Sequence, residues 1–251
     1  MLRVTNLSAG YGKNTVISDV SFSVFQGSFV SIIGKNGSGK STLIKAIAGL
    51  LDISDSTVFI DGTDIKTLKR NDFAKKVSLL SQIRNLPDMT VEQLVLHGRF
   101  PYISNYGKYS KTDKEIAENM ILKMGLSDFK ERPLKTLSGG QIQKSYIALA
   151  LTQSTDYILL DEPTTFLDIS HQISIMNILK GLSENGKGIL AVMHDLPLAF
   201  NFSDYILVLD EGRIVSFDTP ENIIKSDIIS KLFGIDIKRN DEGVYFSLIE
   251  K

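Results

Sequence analysis

The chain contains no cysteine. That absence removes disulfides, thiolate metal sites and cysteine nucleophiles from consideration, and it suits a reducing compartment as well as an oxidising one. Nor is there an excess of charge of either sign: 28 Lys and Arg stand against 29 Asp and Glu, for a formal net charge of −1. Electrostatic binding to nucleic acid normally shows as a basic excess, so no nucleic-acid partner is expected. No apolar run approaches the roughly 18–20 residues of a membrane-crossing helix. The amino terminus, Met1-Leu2-Arg3-Val4-Thr5-Asn6, is not followed by an apolar signal-peptide core. These gaps predict a cytoplasmic chain, with any membrane function lying on a separate polypeptide. Internal repeats and low-complexity tracts are missing as well.

What is present is ordinary for a soluble globular protein: 251 residues, 43% hydrophobic and 23% charged, enough for one large domain or a core carrying an inserted subdomain. Residues 2–7 and 20–25 alternate apolar and polar, the period of half-buried strands. Residues 29–33 are nearly all apolar, which predicts a strand buried on both faces. Beyond a glycine-rich turn, Leu43, Ile44, Ile47 and Leu50/Leu51 recur at helical spacing. From about Thr90 to Leu151 the pattern is mostly helical, with Leu94, Leu96, Ile116, Met120, Ile121 and Met124 facing a core and a loop over residues 100–112. Strand-like runs return at residues 156–160, 188–193 and 205–209, the first two separated by a helical stretch over 169–182. Strand, helix, strand is the grammar of a parallel sheet. Asp210-Glu211-Gly212 predicts a hairpin turn, and the tail after Ser226 a short helix and one extended segment, residues 244–249.

Gly34-Lys35-Asn36-Gly37-Ser38-Gly39-Lys40-Ser41, followed by Thr42, has the spacing of a phosphate-binding P-loop, with a strand before it and an amphipathic helix after. Its glycines let the backbone wrap a polyphosphate, and amides at the helix start face the anion. Lys40 can reach the β- and γ-phosphates, and the Ser41 hydroxyl can ligate Mg²⁺. A glycine-rich surface turn could carry the same letters, but both flanks argue against it. Residues 157–162 form an apolar strand that ends in two carboxylates. Asp161 is placed to hold Mg²⁺ through water, and Glu162 to polarise the water that attacks the γ-phosphate. Two acids at a strand end mean little alone and much after a P-loop. His194, at the carboxyl end of the next strand, can donate to the γ-phosphate; a lone histidine is more often structural, so its position is the argument. Leu137-Ser138-Gly139-Gly140-Gln141 opens a further helix and makes a second anion cradle. One γ-phosphate does not need two cradles within a chain. The pattern therefore predicts a head-to-tail pair in which ATP on one copy's P-loop is capped by Ser138, Gly139 and Gly140 of the other.

On these motifs the sequence resembles the ABC ATPase family over nearly its whole length. The resemblance implies an α/β fold: a P-loop core with an N-terminal antiparallel β layer and an inserted helical subdomain. The ATPase domain would span residues 2–237, the subdomain about 90–151, and a short C-terminal extension 238–251. It implies ATP and Mg²⁺ as ligands, with Tyr11 stacking on adenine and Gln141 completing the serine–glycine signature. Gln82 resembles the glutamine that joins core to subdomain and senses Mg²⁺ and γ-phosphate, and Asp168, in Thr165-Phe166-Leu167-Asp168, the residue that touches the facing P-loop. The implied partners are a second copy, integral membrane permease subunits and, indirectly, an extracellular or periplasmic substrate-binding protein, with the chain peripheral on the cytoplasmic face of the membrane.

Residues 166–172, 126–137 and Gly98-Arg99-Phe100-Pro101-Tyr102 resemble more narrowly the ATPases of iron–siderophore, haem and cobalamin importers. The expectation is ATP-driven uptake of a metal chelate, ferric siderophore first, with haem or cobalamin as alternatives and a soluble non-transport ABC ATPase further off. His171 reads equally well as a solvated helix residue, and residues 98–102 as a turn in which Pro101 ends a helix. One stretch departs from the family: Gln141-Ile142-Gln143-Lys144 stands where Gln-Arg-Gln-Arg is common, which loses a bidentate donor but no phosphate-contacting or water-activating group.

Overall fold

The computed structural model describes residues 1–81, 86–103, 107–240 and 243–248. Alternation builds the first layer. β1 (Leu2–Tyr11) and β2 (Asn14–Val24) pair antiparallel, burying Leu2, Val4 and Leu7 against Val20, Phe22 and Val24. β3 (Phe29–Ile33) is buried at every residue and leads through the P-loop into α1 (Lys40–Ile47). β4 (Val58–Ile60) and β5 (Thr63–Asp64) complete a four-stranded sheet in the order β2-β1-β4-β5. α2 (Arg70–Lys76) then returns the chain to β6 (Val77–Leu80).

A helical stretch follows: α3 (Val91–Leu96), α4 (Lys111–Lys123) and α5 (Gly139–Thr152). Each begins with a reciprocal side-chain cap, Thr90 with Gln93, Ser110 with Asp113, and Ser138 with Gln141, which satisfies amides that no carbonyl of the helix can reach. Leu94, Ile121 and Met124 are buried as expected, while Leu96, Ile116 and Met120 are only half-buried on the helix flanks. The loop expected over residues 100–112 begins as a 3₁₀ helix, His97–Tyr102, and α4 already starts at Lys111. Pro101 lies buried inside that 3₁₀ helix rather than ending one, since a short 3₁₀ stretch tolerates a residue without an N–H.

The α/β pattern resumes with β7 (Tyr157–Asp161), α6 (Ile169–Glu184), β8 (Gly188–Val192), α7 (Leu196–Phe202), β9 (Tyr205–Asp210), β10 (Arg213–Asp218), α8 (Pro220–Lys225) and α9 (Ile228–Phe233). The second sheet runs β10-β9-β3-β8-β7-β6, parallel throughout except for β10. Its strands alternate between two cores. Phe29, Ile33, Ile158, Leu160, Ile189 and Ala191 face the helices, while Val30, Ile32, Leu159, Leu190 and Val192 face α1 and the antiparallel layer. Each buried Val, Ile, Leu or Phe side chain among them is worth roughly 1.5–3 kcal/mol. This order has a functional consequence, because it sets the carboxyl ends of β3, β8 and β7 side by side.

The tail differs from expectation. After α9 it forms a hairpin, β11 (Ile235–Asn240) with β12 (Gly243–Leu248), so β11 runs across the boundary expected at residue 237. Ile235 and Ile237 among polar and charged neighbours give only two apolar positions, too short an alternation to announce a strand. The hairpin lies on α7, with Phe246 edge-on to Phe200 at 6.1 Å. Among the described residues no helix is long and apolar enough to cross a membrane.

Gly98 sets the approach of the 3₁₀ turn to α5. A Cβ there would lie 2.4 Å from Leu149 O and 3.0 Å from Thr152 Cβ. Gly98→Ala is therefore expected to cost about 1–3 kcal/mol of stability, seen as a lower urea midpoint at unchanged slope. An unchanged midpoint would mean that the turn can move off α5 freely.

Candidate functional site

The P-loop begins where β3 stops. Gly39 precedes α1 with φ +101°, and a Cβ there would meet Ile17 Cγ2 at 2.7 Å, so both backbone and contact demand glycine. Among the described residues no side chain caps α1, which leaves its first-turn amides and the positive end of its dipole for an anion. Lys40 is buried, and its Nζ donates to Gly34 O at 2.8 Å and Lys35 O at 2.9 Å. Burial lowers its pKa from the ordinary lysine value, against the opposing charges of Glu162 and Asp161. Among the described residues Ser38 Oγ is buried without a hydrogen-bond partner. An orphaned hydroxyl costs roughly 1–3 kcal/mol, and a phosphate oxygen would satisfy it.

Ser41 Oγ donates to Asp161 Oδ1 at 3.0 Å. Burial pushes Asp161 above the usual carboxylate range, and the charge of Glu162 adds to this against the bond from Ser41. Among the described residues no cluster of three or more His, Cys, Asp or Glu forms a metal cage. A hydroxyl and a carboxylate beside a phosphate loop are the hard-oxygen donors that fit Mg²⁺, which keeps most of its shell as water and phosphate.

Glu162 stands just past β7 with φ +57°, a left-handed backbone that costs a non-glycine residue roughly 1–3 kcal/mol. That turn aims its side chain across to β8: Oε1 lies 2.7 Å from His194 Nε2, and Oε2 accepts from Thr165 Oγ1 at 3.3 Å. A carboxylate can only accept, so Nε2 carries the hydrogen. A cleft of about 390 Å³ gathers Tyr11, Asn36, Gly37 and residues 39–42 with Glu162 and His194. Gly34 and Lys35 serve it from behind by holding Lys40. Tyr11 is half-exposed at its rim. Gln82 lies outside the described residues.

The serine–glycine element is elsewhere. Ser138 Oγ accepts from Gln141 N at 3.3 Å while Gln141 Oε1 accepts from Ser138 N at 3.0 Å, so Gln141 serves as the cap's partner. With Gly139 and Gly140 they line a second cleft of about 660 Å³, walled by Phe129, Lys144, Phe166, Asp168 and His171. Among the described residues the two clefts share no lining residue. Asp168 caps α6: its Oδ1 accepts from Ser170 Oγ at 2.8 Å and His171 N at 2.9 Å, and Oδ2 lies 2.8 Å from His171 Nδ1. The bond from the His171 amide, helped by the ring and by Ser170, brings its pKa down to about 2. Burial lowers Lys144, against the charge of Asp168. Ile142, where the family commonly has arginine, packs on the helical core.

Two residues escaped the sequence reading. Val16 lines the nucleotide-sized cleft from β2. Gln143, buried on α5, donates through Nε2 to Glu162 O at 3.2 Å and Pro163 O at 3.0 Å, and so holds the strained turn in place. The available signal was a glutamine on the inward face of a helix, where an unpaired amide is costly.

Comparison with known proteins adds the following. A family model described as ABC transporter matches residues 17–165. The chain is 37% identical over 237 residues to the iron(3+)-hydroxamate import ATP-binding protein FhuC of Bacillus subtilis (strain 168), covering 94% of this chain and 88% of that one. It is 37% identical over 245 residues to the ferric enterobactin transport ATP-binding protein FepC of Escherichia coli (strain K12), covering 97% and 90%. Among solved structures, the dimeric post-hydrolysis state of the ATP-binding cassette MJ0796 bound to ADP and Pi superposes with a TM-score of 0.78 at 29% identity, covering 88% of this chain and 99% of that one.

Proposed function

Because the chain belongs to the ABC transporter family and is an ATPase of it, we propose that it powers the import of a ferric siderophore through a separate membrane permease. The observation that carries the cargo is near-full-length similarity to ATP-binding proteins of iron(3+)-hydroxamate and ferric enterobactin transport. Haem and cobalamin are the alternatives. The chain would sit peripherally on the cytoplasmic face, with an external binding protein delivering the chelate. The ATPase domain is taken as residues 2–237, with α3 to α5 as its helical subdomain (about 90–151) and residues 238–251 as a short extension.

The mechanism is that of a shared site. The two clefts share no residue, and the MJ0796 cassette is dimeric; both support a head-to-tail pair. ATP lies on one copy's P-loop, with its base on Tyr11 and its γ-phosphate between Lys40 and the facing Ser138, Gly139 and Gly140. Glu162 takes the proton of the attacking water, and His194 Nε2 moves from Glu162 toward the phosphate as charge builds there. Ser41 and Asp161, with Gln82, would hold Mg²⁺, whose charge when bound stabilises the phosphate oxygens. Loss of phosphate removes the bridge and the copies part, a motion passed to the permease through the helical subdomain.

Uptake of labelled ferric siderophore by cells carrying wild type or Glu162→Gln at matched expression tests this, with haem and cobalamin run in parallel. Loss of siderophore uptake alone is expected. Loss confined to haem or cobalamin would change the cargo and keep the mechanism, and uptake of all three unaffected would end the metal-chelate reading.

A further inference from the structure

Arg99 is 7% exposed, and no step above uses it. Its Nε donates to Asp113 Oδ1 at 2.9 Å, one terminal nitrogen donates to Thr152 O at 3.1 Å, and the guanidinium lies over the Tyr102 ring, 3.8 Å from its centroid. Tyr102 Oη in turn donates to Gln153 O at 3.1 Å. Gln153 Nε2 donates to Ala74 O and, at 3.1 Å, to Val77 O. One buried cation thus joins the turn after α3, the first turn of α4 and the last carbonyls of α5. Gln153 then fastens that same end of α5 to the start of β6 in the core sheet.

The opposite end of α5 is Ser138. Fourteen residues of helix span about 21 Å, and a helix moves as a rod. A tilt of about 3° where it is clamped displaces the far end by about 1 Å, a misplacement that in a reacting site is worth about 10²-fold. Arginine suits the clamp because its planar fork makes two bonds and a stack at once, which lysine cannot.

We propose that Arg99 is a positioning residue for Ser138: by clamping the C-terminal end of α5 it sets where the serine–glycine element meets the nucleotide of the facing copy. The idea rests on the two-copy reading above. Its signature is that damage at Arg99 weakens the partner's ATP site and spares the P-loop of its own chain.

Two full-length copies joined in tandem by a flexible Gly/Ser linker make this measurable. Both halves carry Glu162→Gln so that ATP is kept, and one carries Lys40→Ala so that the tight phase of ATP binding reports the intact P-loop alone. Arg99→Gln is then placed either in the Lys40→Ala half, where its α5 faces the intact P-loop, or in the other half, where it faces the weakened one. The two proteins have the same composition and bear the same folding cost, so only placement differs. The first arrangement is expected to bind ATP about tenfold to 10²-fold more weakly than the second, as loss of a hydrogen bond to the charged phosphate would do, with Arg99→Lys falling between. Equal affinity in the two arrangements would overturn the proposal, whether both bind or both fail. Ser138→Ala in the same two placements serves as the reference. If placement matters for Ser138 and not for Arg99, the positioning role alone is wrong. If it matters for neither, the two-copy reading itself fails.

Discussion

Replacing Glu162 with glutamine is expected to leave ATP affinity unchanged while slowing turnover by roughly 10²- to 10⁴-fold, the usual contribution of a general base. The amide keeps the size and reach of the side chain, and its oxygen can still accept from Thr165 Oγ1 or from His194 Nε2, which now sit 3.3 and 2.7 Å from the carboxylate oxygens. The left-handed backbone is equally strained in both. What glutamine cannot do is take a proton from water. Equilibrium binding of ATP with single-turnover hydrolysis separates the two effects. Normal turnover would remove Glu162 as the base. A parallel collapse of affinity would instead mean that the carboxylate chiefly holds His194 and the turn together.

Lys40→Ala should act on the other half of the problem, weakening ATP binding by about 10- to 10²-fold, since a hydrogen bond to a charged group is worth about 1.5–3 kcal/mol. In the structure Lys40 Nζ is spent on Gly34 O and Lys35 O, bonds that keep the loop in shape and hold the cation beneath it. Alanine therefore deletes both a charge and a brace, and the ligand series tells them apart. If the charge matters, the loss is largest for ATP, smaller for ADP and absent for adenosine. An equal loss for all three would mean that the loop had collapsed.

The features legible in the sequence were those the chain writes contiguously. The P-loop, the apolar strand before Asp161 and Glu162, and the alternation of β1 and β2 each state their structure within a dozen residues, because strand burial and phosphate loops depend on local periodicity and glycine geometry. Contacts closed by the fold were not legible. Val16 reaches the nucleotide cleft only because β2 folds over α1, and Gln143 acquires its role from carbonyls 19 and 20 residues away. Arg99 stands inside the motif of residues 98–102, but its partner Asp113 lies 14 residues further on, and no local pattern pairs the two. β11 carries too few apolar positions to announce itself, and Pro101 lends itself to the alternative of a helix stop because a short 3₁₀ stretch leaves no periodic trace.

The cap on α6 sets a limit on what Asp168 can offer a neighbour. A carboxylate has about four lone-pair positions, and three are taken at home, by Ser170 Oγ, His171 N and the His171 ring. Asp168 thus arrives at any facing surface with one acceptor direction open, on Oδ2, already aimed by its own helix and already ionised across the physiological range. It can receive a single donor without loosening α6, and a second donor only by uncapping it. A surface that presents one well-placed amide or hydroxyl is matched; one that presents a pair is made to choose between the contact and the helix.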